Sequence, residues 1–162
     1  MHHASDDTCA LKLELADTAA TEALGAALLP VLGPGLTIWL SGDLGAGKTT
    51  LTRGLLRATG FKGNVKSPTY TLIEVYTVSR ITLYHFDFYR FTHADEFLEA
   101  GLDEYFGAEG TCLVEWADKA VPHVPSPDIE IRLQVTGSTR LAIIHACSKR
   151  GQECLKQIAL PR

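Results

Sequence analysis

Nothing in this sequence approaches the ~18 consecutive apolar residues that a membrane-spanning helix requires. Its longest apolar stretches are strand-length and carry polar residues. The first residues, Met1-His2-His3-Ala4-Ser5-Asp6-Asp7, hold no basic segment followed by an apolar one, so no secretory leader is expected. No role is assigned to His2 or His3. The four cysteines, Cys9, Cys112, Cys147 and Cys154, show no C-x-x-C spacing. They read as small core residues in a reducing compartment, with no metal knuckle among them, and the expected location is the cytoplasm. Basic residues are not in excess: 15 Lys and Arg face 19 Asp and Glu, for a formal charge of −4. A direct, non-specific grip on nucleic acid, which needs a basic patch, is therefore not expected. Internal repeats and low-complexity tracts are also missing.

What is present suits one folded domain spanning residues 1–162. The length is close to the ~150 residues typical of a domain. The balance of 46% hydrophobic and 21% charged residues is ordinary for a globular protein. Cys9, Leu11, Leu13 and Leu15 alternate with polar residues, which predicts a half-buried strand. Asp17 or Thr18 then caps a helix with Leu24, Ala27, Leu28 and Val31 on one face, stopped by Gly33-Pro34-Gly35. Leu36 to Leu40 is a buried-strand candidate. Thr49 to Thr59 is helical in pattern, with Gly60 as its stop. Residues 61–68 read as a loop. Thr71 to Tyr76 and Ile81 to Phe88 read as strands joined so tightly near Val78-Ser79-Arg80 that they must be antiparallel. His93 to Phe106 is partly helical and broken at Gly101, and Thr111 to Val114 is a short strand ending in Glu115. Pro122, Pro125 and Pro127 mark an extended loop. Ile129, Ile131, Leu133 and Val135 alternate on one strand face, Gly137-Ser138 turns into a strand from Leu141 to Cys147, and Ser148 to Leu160 closes the chain as a helix. The expected fold is α/β: a three-layer, P-loop NTPase-like domain whose central sheet is mixed and partly antiparallel.

One segment carries chemistry by itself. Gly42-Asp43-Leu44-Gly45-Ala46-Gly47-Lys48-Thr49 follows a strand and opens a helix, the setting in which such a loop cradles phosphate. The glycines let backbone N–H groups curl around phosphate oxygens, and the helix N-terminus points at the anion. Lys48 is placed to reach the β- and γ-phosphates, and the Thr49 hydroxyl to ligate Mg²⁺. Such sites also need an acidic residue near the metal at the end of a buried strand. Asp87 and Glu115 are the two candidates, and either suits metal binding or the orientation of an attacking water. The hydroxyls of Ser67-Pro68-Thr69 stand where a phosphate-sensing loop would, but on these residues alone an ordinary proline turn is the leading reading. Tyr84, Phe86 and Phe88 read as one packed strand face, His85 as a structural strand residue, and Trp116 as packing on the site or at a core edge. Arg53, Arg57 and Arg90 are assigned no role. The Asn-Lys-x-Asp pattern that reads guanine is absent, since the only asparagine is Asn64 followed by Val65, which leaves ATP by elimination.

Taken together, Gly42 to Thr50, Ser67-Pro68-Thr69-Tyr70, Leu83-Tyr84-His85-Phe86-Asp87-Phe88-Tyr89-Arg90 and Val114-Glu115-Trp116 resemble the TsaE (YjeE) family. Its members are bacterial ATPases required for making threonylcarbamoyladenosine in tRNA. The resemblance implies ATP with Mg²⁺, and it puts the family's metal-binding and catalytic carboxylates on Asp87 and Glu115. It also puts the nucleotide-loop threonine on Thr69 and the tryptophan beside the carboxylate on Trp116. The nucleotide would be held by the loop itself, Gly42 through Thr50. The implied partner is the TsaB–TsaD heterodimer, in which TsaD transfers the threonylcarbamoyl group to adenosine 37 of tRNA, next to the anticodon. ATP hydrolysis would support turnover of that complex, and tRNA would be reached only indirectly, through it. Two rivals use the same loop. A small-molecule kinase needs a lid, usually arginine-rich, over an acceptor site, and no such insertion is evident. A nucleotide-dependent binding switch needs no appreciable turnover.

Overall fold

The computed structural model describes residues 10–158. Among these residues, seven strands form one mixed sheet: β1 (Ala10–Leu15), β2 (Thr37–Ser41), β3 (Ile73–Val78), β4 (Ile81–Asp87), β5 (Thr111–Glu115), β6 (Ile129–Thr136) and β7 (Thr139–Ala146). Their spatial order is β1-β7-β6-β2-β5-β4-β3. The four central strands, β6, β2, β5 and β4, pair in parallel, and antiparallel pairs add β7 and β1 at one edge and β3 at the other. The hairpins expected from the sequence are these edge pairs. The parallel centre brings the carboxyl ends of β2, β5 and β4 to one edge of the sheet, where ligands of open α/β folds bind.

Helices cover one face. Helix α1 (Thr18–Ala27) starts at Asp17, whose carboxylate accepts a hydrogen bond from the Ala20 N–H at 2.9 Å. Helix α2 (Lys48–Thr59) ends at Gly60 in the left-handed conformation. Leu24, Leu28, Leu51 and Leu55 interlock there with Ile38, Leu40, Leu83, Leu113, Ile129 and Ile131 from the sheet. Each such side chain contributes about 1.5–3 kcal/mol by leaving water. On the other face, beyond β4 and β5, Phe86, Phe88, Phe91 and Phe97 form an aromatic cluster with Phe106 and Tyr105. This third layer is thin. It consists of the single turn α3 (Glu96–Glu99) and 3-10 turns at Leu102–Tyr105 and Ala117–Ala120. A terminal helix, α4 (Lys149–Gln157), is capped by Ser148, whose hydroxyl oxygen accepts from Gly151 N–H.

Several boundaries differ from the sequence reading, each for a local reason. Helix α1 ends at Ala27 and tightens into a 3-10 turn over Leu29–Val31, because Pro30 has no N–H to continue the helix. Leu24, Leu28 and Val31 are nevertheless all buried, as expected. Strand β3 begins at Ile73 because Leu72 adopts a left-handed backbone (φ 69°) and closes a turn onto the Pro68 carbonyl. Val135 continues the alternation of β6 but is 51% exposed, lining an open cavity at the end of the strand. Cys112 and Cys154 are buried, whereas Cys147 is exposed; burial pushes the Cys112 thiol up to about 12. Cys9 and Leu160 lie outside the described residues. No helix among the described residues is long and apolar enough to cross a membrane.

Candidate functional site

The loop after β2 turns on three left-handed glycines, Gly42 (φ 143°), Gly45 (φ 82°) and Gly47 (φ 110°). At Gly42 a side chain is excluded by space as well, because a Cβ would stand 2.5 Å from the Leu133 carbonyl oxygen. Arg140, on β7, donates to the carbonyls of Ala46 (3.2 Å) and Gly45 (3.3 Å). A peptide plane sends its N–H opposite to its C=O, so tying these carbonyls to Arg140 settles where the loop's amides point. The loop then enters α2 at Lys48, placing the positive end of the helix dipole at the cleft.

Lys48 is 6% exposed; its ammonium donates to the Gly42 carbonyl and lies 4.3 Å from the ring centre of Trp116. Burial pulls its pKa below the usual lysine value, against the opposing pull of Glu115, Asp87, Asp43 and Asp118. Trp116 stands directly after β5 in a left-handed conformation (φ 57°), which turns the chain sharply as it leaves the sheet.

The two carboxylates are register partners: Asp87 closes β4 opposite Glu115, the last residue of β5. Both are buried. Asp87 accepts hydrogen bonds from the Tyr89 N–H (2.8 Å) and the Thr69 hydroxyl (3.2 Å), and the Thr69 and Ser67 hydroxyls are 2.8 Å apart. Desolvation is the largest influence on Asp87 and raises its pKa above the ordinary carboxylate value. Glu115 Oε2 lies 2.6 Å from His85 Nε2.

These groups meet. Leu44, Gly45, Gly47, Lys48, Thr49, Thr50, Thr69, Asp87, Glu115 and Trp116 line one cleft of about 250 Å³, together with Ser67. Gly42, Asp43 and Ala46 line a neighbouring cavity of about 640 Å³ that shares Lys48 and Trp116 with the first. Across the loop, a third cavity of about 290 Å³ is walled by Asp17, Thr18, Thr50, Ser138 and Arg140. The arginines noted in the sequence stay out of the cleft: Arg57 binds the Phe61 and Gly63 carbonyls, and Arg90 lies over Tyr70. Lys48 is the one cation lining the cleft among the described residues. Two participants were not legible beforehand. Arg140 gave no signal, standing 95 residues from Gly45 in an unremarkable hairpin. His85 had one, a polar residue in an otherwise apolar strand interior, but that pattern alone did not say what it touches.

The raised pKa of Asp87 has a measurable consequence. An acid with a folded-state pKa above its unfolded value is disfavoured as the charged form in the fold. The cost is present above the folded pKa and is relieved as pH falls through it. Asp87→Asn keeps an acceptor for Tyr89 N–H and a partner for Thr69 while removing the charge. At neutral pH and without metal or nucleotide, it is expected to stabilise the protein by about 1 kcal/mol, or about 2–4 °C in Tm. The advantage should disappear in acid, where Asp87 is itself protonated. Thermal unfolding across a pH series reads this directly, and a variant no more stable at neutral pH refutes the assignment of strain to the charge.

Comparison with known proteins bears on the same residues. A family model described as "Threonylcarbamoyl adenosine biosynthesis protein TsaE" matches residues 15–142, which include the loop and both carboxylates. The tRNA threonylcarbamoyladenosine biosynthesis protein TsaE of Haemophilus influenzae is 45% identical over 105 residues, 65% of this chain and 66% of that protein. Its Bacillus subtilis namesake is 39% identical over 127 residues, 78% of this chain and 79% of that protein. The one from Nostoc sp. is 43% identical over 126 residues, covering 75% and 76%. Among solved structures, the crystal structure of Bacillus subtilis YdiB superposes with a TM-score of 0.80 at 31% identity, over 92% of this chain and 93% of that one.

Proposed function

The chain belongs to the TsaE family of threonylcarbamoyl adenosine biosynthesis proteins, and from that premise we propose that it is a Mg²⁺-dependent ATPase serving the complex that modifies adenosine 37 of tRNA. The observation that carries the reading is the convergence of a glycine-rich loop, a helix N-terminus, Lys48, Thr49 and two strand-end carboxylates on one cleft. Amides of Gly45 to Thr50 and the Lys48 ammonium bind the triphosphate. With its pKa lowered by burial, Lys48 has little hydration left to lose when phosphate arrives. The polar walls of the cavity across the loop, Asp17, Thr18, Ser138 and Arg140, suit the ribose and base.

The donor set fits a metal–nucleotide site. Magnesium takes hard oxygen ligands, and in nucleotide sites it uses one or two carboxylates plus phosphate oxygens. Thr49, Asp87 and Glu115 supply that set, and no denser cluster of metal-ligating side chains occurs among the described residues. When bound, the ion neutralises charge developing on the phosphates. Thr69, hydrogen-bonded to Asp87, couples the Ser67–Thr69 segment to this carboxylate. A change in nucleotide state at Asp87 thereby reaches an exposed loop that a partner can sense. The partner in this reading is the TsaB–TsaD heterodimer. The tRNA is met through it, consistent with the chain's net negative charge. The protein acts in the cytoplasm as one domain and away from membranes.

The 640 Å³ cavity beside Lys48 is where a small-molecule kinase would seat its acceptor, so the kinase reading keeps one structural argument. The deciding experiment measures ATP hydrolysis by the purified protein alone and with the TsaB–TsaD heterodimer. Low activity alone and a clear rise with the partner is the expected result. Unchanged activity with a demonstrably folded cognate partner, or phosphoryl transfer to a small acceptor, overturns the reading.

A further inference from the structure

His85 is a buried titratable group that none of these steps employs. It lies in the middle of β4, with Leu83 and Asp87 on the same face of the strand two residues to either side. Leu83 belongs to the aliphatic core and Asp87 to the cleft, so His85 forms the layer between them. It is completely buried. A position inside a parallel sheet is ordinarily apolar, because an imidazole brings two nitrogens that must be satisfied. Here Nδ1 has no hydrogen-bond partner among the described residues, and Nε2 has one, Glu115 Oε2 at 2.6 Å. Packing alone gives no reason for histidine at this site, whereas the contact with Glu115 does.

The register shows how the contact works. His85 is paired with Leu113 and Asp87 with Glu115, so the imidazole reaches the Glu115 carboxylate from one step deeper in the sheet. A carboxylate only accepts hydrogen bonds, so Nε2 carries the hydrogen. Glutamate is a flexible side chain, and its one anchored oxygen here is Oε2. We propose that His85 is a positioning residue for Glu115: its Nε2–H anchors Oε2 and holds the carboxylate in the orientation from which it serves the metal–nucleotide complex. This rests on the ATPase reading, in which Glu115 acts on bound nucleotide. It is one case of the general rule that the partners of a ligating or catalytic side chain govern its orientation.

The test uses the full chain with its partner heterodimer and three substitutions. Glutamine can extend its amide to about where Nε2 sits, asparagine reaches only the Nδ1 position, and leucine donates nothing. His85→Leu and His85→Asn are expected to lower turnover about 10- to 100-fold with the KM for ATP unchanged, and His85→Gln to restore most of it. In a Glu115→Ala background, His85→Leu should cost nothing further. Mg²⁺ titrated calorimetrically into the protein–ADP complex supplies a readout independent of turnover. Weaker binding in His85→Leu supports the anchor with Glu115 at the metal. Lost turnover with unchanged Mg²⁺ affinity supports it with Glu115 at the water. The proposal is overturned if neither quantity falls, if His85→Leu is equally harmful without Glu115, or if glutamine does no better than asparagine. Absent hydrolysis by the unaltered protein would instead defeat the ATPase reading, leaving the Mg²⁺ titration to decide the role of His85.

Discussion

Replacing Glu115 with alanine is expected to leave nucleotide bound and to cut ATP turnover by about 10²- to 10⁴-fold, the range a positioned acid–base or charge-stabilising group supplies. Affinity should survive because the grip on phosphate belongs to the loop amides and Lys48, which Glu115 does not touch. Turnover should fail because only two carboxylates among the described residues line the cleft, and Asp87 already accepts from Tyr89 N–H and the Thr69 hydroxyl. Alanine has a side effect to be controlled, since it strands the His85 imidazole, whose one hydrogen-bond partner among the described residues is Glu115. Glu115→Gln avoids this by offering His85 an acceptor of the same reach. Both variants should bind ADP as the unaltered protein does in calorimetry and fail in single-turnover hydrolysis with the partner present. Unaltered hydrolysis in either removes Glu115 from the chemistry.

The second large effect is on stability, and its sign is the informative part. Gly54 lies inside α2, where alanine is intrinsically the better helix former by about 0.8–1 kcal/mol. The tertiary structure reverses that preference. A Cβ on Gly54 would stand 2.1 Å from the carbonyl oxygen of Glu22 in α1, and one on Gly25 of α1 would stand 2.0 Å from the carbonyl oxygen of Leu51. The two helices thus cross backbone against backbone, each through the other's glycine, and no side chain can swing aside. Gly54→Ala is expected to destabilise by about 3 kcal/mol as overpacking, or about 6–12 °C in Tm. Because α2 carries the phosphate loop on its first turn, nucleotide affinity should weaken with it. Thermal unfolding decides: a higher Tm would mean that helix propensity prevails and that the crossing is not close.

The parts of this protein that could be read in its sequence are those whose cause lies within a few residues. The phosphate loop is contiguous from Gly42 to Thr49, and its left-handed turns require glycine wherever they occur. The alternation of β6, the cap at Asp17, the stop at Gly60 and the start of the terminal helix at Ser148 are equally local, as is the two-residue turn that makes β3 and β4 a hairpin. Even the strand ends at Asp87 and Glu115 were visible as apolar runs closing on an acid. Where a boundary went astray, as at Pro30, a local rule had been given too little weight.

Tertiary structure decided which of these local features meet. That Asp87 and Glu115 stand side by side follows from β5 lying between β2 and β4 in parallel, an order that no short segment encodes. The same order makes His85 a neighbour of Glu115, and the β6–β7 hairpin brings Arg140 to the carbonyls of a loop 94 residues away. Helix propensity and strand alternation are set by backbone sterics and side-chain spacing, so a few residues suffice to express them. Strand order and helix crossing are set by how the whole chain buries its apolar faces at once, and that free energy belongs to no single segment.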